Sequence, residues 1–155
     1  MAAVHSILPF NFRGWRFALP AKQVIRVVPA LAPQPLPQAP NLILGICQLK
    51  GMILPVFDLA ARLGWPRQPF GIWSHWIWLR SERRDLLLPV DRTEPVHHIE
   101  GELLPITSLQ NSQSSVHGVL RAPDGLYLLQ DIESFLSPGD ELALNDALAK
   151  QHADH

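Results

Sequence analysis

Residues 36–65 read LPQAPNLILGICQLKGMILPVFDLAARLGW, from Leu36 to Trp65. Leu42–Leu49 and Met52–Phe57 are short apolar runs of strand length, and Lys50-Gly51 between them supplies the positive φ of a tight hairpin. Pro55 lacks an amide donor, so the second strand is expected at an edge or a bulge. Asp58 then fits as a helix N-cap, its carboxylate accepting from first-turn amides. Leu59–Leu63 make a helix of one and a half turns, stopped by Gly64 and Pro66. Strand, turn, strand and short capped helix set a β-rich fold.

Upstream, Pro29, Pro33, Pro35, Pro37 and Pro40 forbid a helix or central strand and imply an extended surface connector. Before it, Val24–Val28 is β-branched, and Trp15, Phe17 and Leu19 alternate with Arg16 and Ala18 as in a half-buried strand. Arg13-Gly14 is the turn joining that strand to residues 7–12. Downstream, the Gly- and Pro-rich residues 64–74 divide the chain. Strands are expected at 75–80, 85–90, 94–99, 116–121 and 126–130, with a hairpin turn at Asp124-Gly125. Residues 107–115 read as a polar loop. Asp131 caps a short helix through Phe135. Ser137, Pro138 and Asp140 open a second helix, on which Leu144 and Leu148 lie one turn apart. On strand 75–80, Trp76 and Trp78 face one way and Ile77 and Leu79 the other, which suits a strand between two layers. Trp73, if exposed, would be an interface anchor.

Many short strands with few helices argue for small β-barrels. The break at 64–74 suggests two: a first barrel over 7–64 and a second over 75–131, followed by helical segments over 132–150.

At 155 residues, 47% hydrophobic and 17% charged, the chain can bury a core as one domain. The single Cys47 excludes internal disulfides and a cysteine metal cluster, and reads as a small buried residue. No charged-then-apolar leader and no apolar run near the ~18 residues of a bilayer span is seen, so a cytoplasmic protein without direct membrane insertion is expected. Residues 1–80 hold eight basic residues against Asp58 alone, a net of +7, whereas residues 81–155 hold five basic and thirteen acidic, a net of −8. Such a split suits an acidic partner, nucleic acid included, or attraction between the halves, within one molecule or head-to-tail between molecules, or simply two solvated surfaces of different sign. His97 and His98 are neighbours on a strand and point to opposite faces, so they cannot chelate one ion. No G-x-S-x-G elbow, glycine-rich phosphate loop or H-E-x-x-H is present. No cofactor and no enzymatic activity are therefore expected.

The order of these pieces resembles the CheW family of chemotaxis adaptors. The resemblance rests on Val24-Ile25-Arg26-Val27, Leu36–Pro40, Ile43-Leu44-Gly45-Ile46, Gln48-Leu49-Lys50-Gly51 and Leu54–Leu59. Later come Leu88–Asp91, Gly118, Gly125–Leu129 and Ile132–Leu136. It implies two five-stranded SH3-like β-barrels packed side by side, mainly β, with short helices and a C-terminal helix. It also implies a scaffold that binds the regulatory domain of a CheA-type histidine kinase and the cytoplasmic tip of a chemoreceptor, recruited to membrane-associated arrays. The partner-binding residues it implies are Val24, Arg26, Val27, Lys50, Gly51, Asp58 and Arg62. Four departures stand out. Arg26 occupies a position where the family often has an acid, Lys50 replaces the arginine of the turn, Gln48 its asparagine, and Gln130 an apolar residue. They leave room for a divergent kinase, a different receptor tip, or a pilus or gliding system. The alternative reading is a nucleic-acid-binding small barrel, in which basic residues meet the backbone and aromatics stack on bases.

Overall fold

The computed structural model describes residues 3–105 and 116–153; the polar loop expected at 107–115 lies outside them. Eleven strands and two α-helices follow in order. They are β1 (Ala3–Phe12), β2 (Trp15–Pro20), β3 (Val24–Pro29), β4 (Ile43–Leu49), β5 (Met52–Phe57), α1 (Leu59–Leu63), β6 (His75–Arg80), β7 (Asp85–Val90), β8 (Arg92–Thr93), β9 (His97–Pro105), β10 (Val116–Ala122), β11 (Gly125–Gln130) and α2 (Pro138–Ala153). The expected strand at 94–99 starts later and runs longer: Pro95 interrupts pairing, and β9 begins at His97.

One sheet has the order β2-β11-β10-β9-β1-β8 and closes through the β1–β2 hairpin into a five-stranded barrel with β8 appended. The other has the order β3-β6-β7-β5-β4 and stays open between β3 and β4. The fold is thus mainly β, as expected, but the strands are not dealt out by halves of the chain. β1 and β2 leave the expected first barrel, 7–64, to pair with β9 and β11 of the expected second, 75–131. In exchange β6 and β7 join β3–β5. Local periodicity marks a strand without naming its neighbour, and residues 64–74 link two strands of one sheet.

Three apolar clusters result. Ile7, Ala18, Leu120, Tyr127 and Leu129 fill the closed barrel. Cys47, Leu54, Val56, Trp76, Trp78 and Leu87 fill the open one. The largest lies between the sheets, where Leu8, Phe10, Phe12, Phe17 and Leu19 meet Phe57, Ile77, Leu79, Leu86, Leu88 and Val90. β6 is therefore buried on both faces, Trp76 and Trp78 inward and Ile77 and Leu79 toward the other barrel, as its sequence suggested.

The proline-rich segment is more than a surface connector. Gln34 forms a two-bond bridge with Ile46 at 2.8 Å in each direction, and Leu36 is buried. This strap crosses so close to β4 that a Cβ at Gly45 would sit 2.5 Å from the Gln34 carbonyl oxygen. Only glycine admits that approach. Pro55 is not at an edge, since β5 lies between β4 and β7; its pairing with β7 is confined to Val56, and the bulge sits opposite, at Leu44 of β4.

α2 opens on a reciprocal cap, with Asp140 N–H donating to Ser137 Oγ at 3.0 Å and Ser137 N–H to Asp140 Oδ2 at 3.2 Å. Its buried stripe, Glu141, Leu144, Ala147 and Leu148, lies against the shared core. Arg84 clasps it through Glu141 at 2.7 Å and through Asn145, with both ionised side chains largely covered.

These pairings redistribute the charge. Residues 24–90 hold seven basic and three acidic residues (+4), residues 131–155 one and six (−5), and the remainder five of each. The acidic C-terminal segment packs onto the basic open-barrel unit of the same molecule through Arg84–Glu141. Attraction between the two signs is thus met at least partly within one chain, which weakens the charge argument for head-to-tail self-association.

Candidate partner-binding surfaces

Two exposed regions gather the residues singled out by sequence. The first is β3 with the turn that precedes β6. A bulge at Ile25 breaks the β3–β6 register between Val24↔Leu79 and Arg26↔Trp78. Val24 consequently packs against the shared core, whereas Val27 is exposed. Arg26 lies across the Trp78 ring, its guanidinium carbon 5.7 Å from the ring centroid. Trp78 in turn donates its indole N–H to Asp85 at 2.9 Å, and Arg80 grips the same carboxylate with two bonds of 2.9 and 3.0 Å. The Arg80 fork, and after it the Trp78 N–H, hold the Asp85 carboxyl below the usual carboxylate range despite partial burial.

Beside β3, Gly71–Ser74 form a turn fixed from below. Ser74 donates both its amide (3.0 Å) and its hydroxyl (2.7 Å) to the Gly71 carbonyl, and Trp76 donates its indole N–H to Ser74 Oγ at 3.1 Å. The two residues at the tip, Ile72 and Trp73, are 80% and 85% exposed. They line a groove of about 340 Å³ with Val27, Val28, Pro29 and His75.

The second region is the β4–β5 hairpin tip. Lys50 and Gly51 carry φ of 49° and 77°, and Met52 and Ile53 next to them are exposed. Ile53 shares a cavity of about 380 Å³ with Gln34, Ile46, Cys47 and Gln48 on one side and Leu148 and Gln151 of α2 on the other. Burial pushes the Cys47 thiol up, which favours its neutral form. Lys150 ties α2 to the strap through Gln38 Oε1 at 2.7 Å. α2 as a wall of this cavity was not legible from its leucine spacing, which marks the buried stripe but not what that stripe covers.

Asp58 and Arg62 fall in neither region. Asp58 is 1% exposed; its Oδ1 accepts from Ala61 N–H at 3.2 Å as the N-cap of α1, and its Oδ2 accepts from Arg67 Nε at 2.8 Å. Arg62, in the last turn of α1, donates to the Ser134 carbonyl at 3.5 Å. Both tie α1 to its surroundings; Asp58 is too buried to meet a partner, whereas Arg62 is half-buried outside both regions.

At the far end of the closed barrel, Arg16, Asp124 and Tyr127 form a compact trio. Tyr127 donates to Asp124 at 2.7 Å, and Arg16 meets the same oxygen at 2.7 Å while its guanidinium carbon lies 4.0 Å from the Tyr127 ring centroid. The Tyr127 hydroxyl, and after it Arg16, holds the Asp124 carboxyl below its ordinary value. Burial first, and then the bond to Asp124, pushes the Tyr127 phenol up to about 12. The phenol thus stays protonated and donating at neutral pH, which suits a structural lock.

Among the described residues no group of three His, Cys, Asp or Glu gathers to hold a metal, and no helix is long and apolar enough to cross a membrane. Nor does the geometry favour a nucleic-acid platform. Arg67, Arg80 and Arg84 are spent on Asp58, Asp85 and Glu141, and Trp76 and Trp78 are buried where no base could stack.

A closed five-stranded barrel packed on an open five-stranded sheet through a shared core, with exposed apolar tips, defines a two-sheet β module. The CheW-like domain family model matches residues 6–138, and the chain belongs to that family. A protein of Rhizobium etli described as a probable chemotaxis protein CheW is 30% identical over 107 residues, covering 66% of this chain and 68% of that one. Among solved structures, the scaffolding protein TtCheW from Thermoanaerobacter tengcongensis superimposes with a TM-score of 0.72 at 24% identity, covering 83% of this chain and 89% of that chain. That likeness supports the fold.

Proposed function

We propose that this protein is a non-enzymatic, cytoplasmic adaptor that couples a CheA-type histidine kinase to chemoreceptors or to a related pilus or gliding sensory system. The family match over residues 6–138 carries the reading. The β3 surface, with Arg26 and Val27, serves the kinase regulatory domain. The Lys50-Gly51 tip serves the receptor. Both are exposed, and both lie on the open-barrel unit, whose cations outnumber its carboxylates seven to three.

Calorimetric titration with the regulatory domain of each CheA-type kinase of the same genome tests this. Micromolar binding to one of them is expected. The informative variant is Val27→Asp rather than Val24→Asp, because Val24 supports the core and a charge there would unfold the edge as readily as it would repel a partner. Absence of binding to every such domain, with the protein folded, would overturn the kinase assignment.

A further inference from the structure

We infer that the Gly71–Ser74 turn, with Val27 and Arg26 beside it, is a preformed anchor for a folded protein partner offering an apolar pocket edged by a carboxylate. The inference rests on the adaptor reading above, which makes that partner the kinase regulatory domain.

Ile72 and Trp73 are, at 80% and 85%, the most exposed large apolar residues of the described chain. Keeping a tryptophan in water is unfavourable by roughly 25 cal/mol per Å² of apolar surface, so a use for it must be sought. Three bonds fix the turn that carries it, so little order remains to be imposed on binding. Rigid aromatic side chains in such settings carry a large share of interface energy.

The partner's chemistry follows from the surroundings. β3 is an edge strand, and an edge invites strand addition. Here a bulge at Ile25 and Pro29 at the other end leave only Arg26–Val28 to pair, too little for an added strand. Recognition therefore runs through side chains on a folded surface. Arg67, Arg80 and Arg84 already have carboxylates, whereas Arg26 has no ion pair among the described residues. Pro29 pairs with His75, next to the turn, so Arg26 lies three residues along β3, about 10 Å away at ~3.3 Å per residue. A pocket for the indole and an acid at that spacing would complement the patch.

The test is calorimetry with the bound kinase regulatory domain on the wild type and on Trp73→Ala, Arg26→Glu and Trp15→Ala, with the melting temperature of each. Trp15 is a control, 55% exposed on β2 of the other barrel. Trp73→Ala is expected to weaken binding about 30-fold or more without lowering the melting temperature. Arg26→Glu should weaken it about tenfold at low salt, with the difference shrinking as salt rises. Trp15→Ala should bind like the wild type. Wild-type binding with Trp73→Ala within about twofold of it would overturn the anchor and leave the adaptor reading standing. Absence of wild-type binding to any such domain would remove both.

Discussion

The turns at Arg13-Gly14 and Lys50-Gly51 are built to one plan and set in opposite surroundings. Each joins two antiparallel strands through two residues, a cation followed by glycine, with φ of 51° and 82° in the first and 49° and 77° in the second. Both are the primed turns that match strand twist. Around Arg13 the cation itself is occupied, although Trp15 beside it stays exposed. The Arg13 amide donates to Asp91 at 2.6 Å, its guanidinium bonds the Pro66 carbonyl and lies over Phe12, and Phe12 stacks on Trp65 with centroids 6.0 Å apart. The Lys50 side chain forms no hydrogen bond or ion pair among the described residues, and Met52 and Ile53 stand in solvent. A backbone motif alone therefore does not mark a binding tip; what distinguishes the tips is whether the molecule itself uses up the side chains.

If that contrast is correct, substitutions near the two tips should separate sharply in stability. The largest effect is expected from Trp65→Ala, which empties the slot between Phe12 and Trp15 on the anchored side. Scaled down for partial burial, the loss is about 2–3 kcal/mol, or about 5–10 °C in melting temperature. Ile53→Ala at the other tip should change stability by less than about 0.5 kcal/mol. Equal losses at both sites in urea unfolding would erase the distinction. One step smaller is the pair Arg13→Ala and Lys50→Ala. Both replace a positive-φ residue by alanine, so the backbone cost is shared and the difference isolates the side chains. That difference should be about 1 kcal/mol, against Arg13→Ala.

The same contrast explains what the sequence disclosed. Alternation and turn chemistry placed nearly every strand, the caps at Asp58 and Ser137, and the two-sided burial of β6, because each depends on neighbours in sequence. Pairing partners were not legible: nothing local to Ala3–Ile7 says that it lies beside His97–Gly101 rather than β3. Which candidate residues stay exposed was illegible for a related reason. Asp58 looks like a candidate contact until Arg67 and the Ala61 amide claim both of its oxygens. Trp73 became informative only when its exposure was known.

A third test carries the distinction into charge. Asp85 is held by Arg80 and Trp78, and its folded-state pKa is depressed, chiefly by Arg80. Its contribution is therefore present above the unfolded carboxylate value of ~3.9 and is lost as pH falls through the lower folded value. Arg80 is largely exposed, which limits the effect to about 1 kcal/mol. Asp85→Asn should cost that amount at pH 7 and lose less than the wild type between pH 4 and 2, as followed by urea titration at each pH. Parallel pH curves for the two proteins would show that the ion pair contributes nothing to folding.

The smallest effect on stability, and the most telling, is expected from Lys50→Glu. Nothing among the described residues binds the Lys50 ammonium, so reversing its charge should shift unfolding by less than about 0.5 kcal/mol. The residue keeps its backbone geometry, the hairpin keeps its register through Leu49↔Met52, and the β3 surface and Trp73 are untouched. Kinase-domain binding should therefore survive while recruitment to receptor-containing membranes fails, a separation read by titration and co-sedimentation of the same variant. Loss of both activities would mean that the two surfaces are one. Loss of neither would make the Lys50 tip a corner like Arg13 that has merely lost its partners, and would move the receptor contact elsewhere, with the cavity between β4 and α2 the next place to mutate.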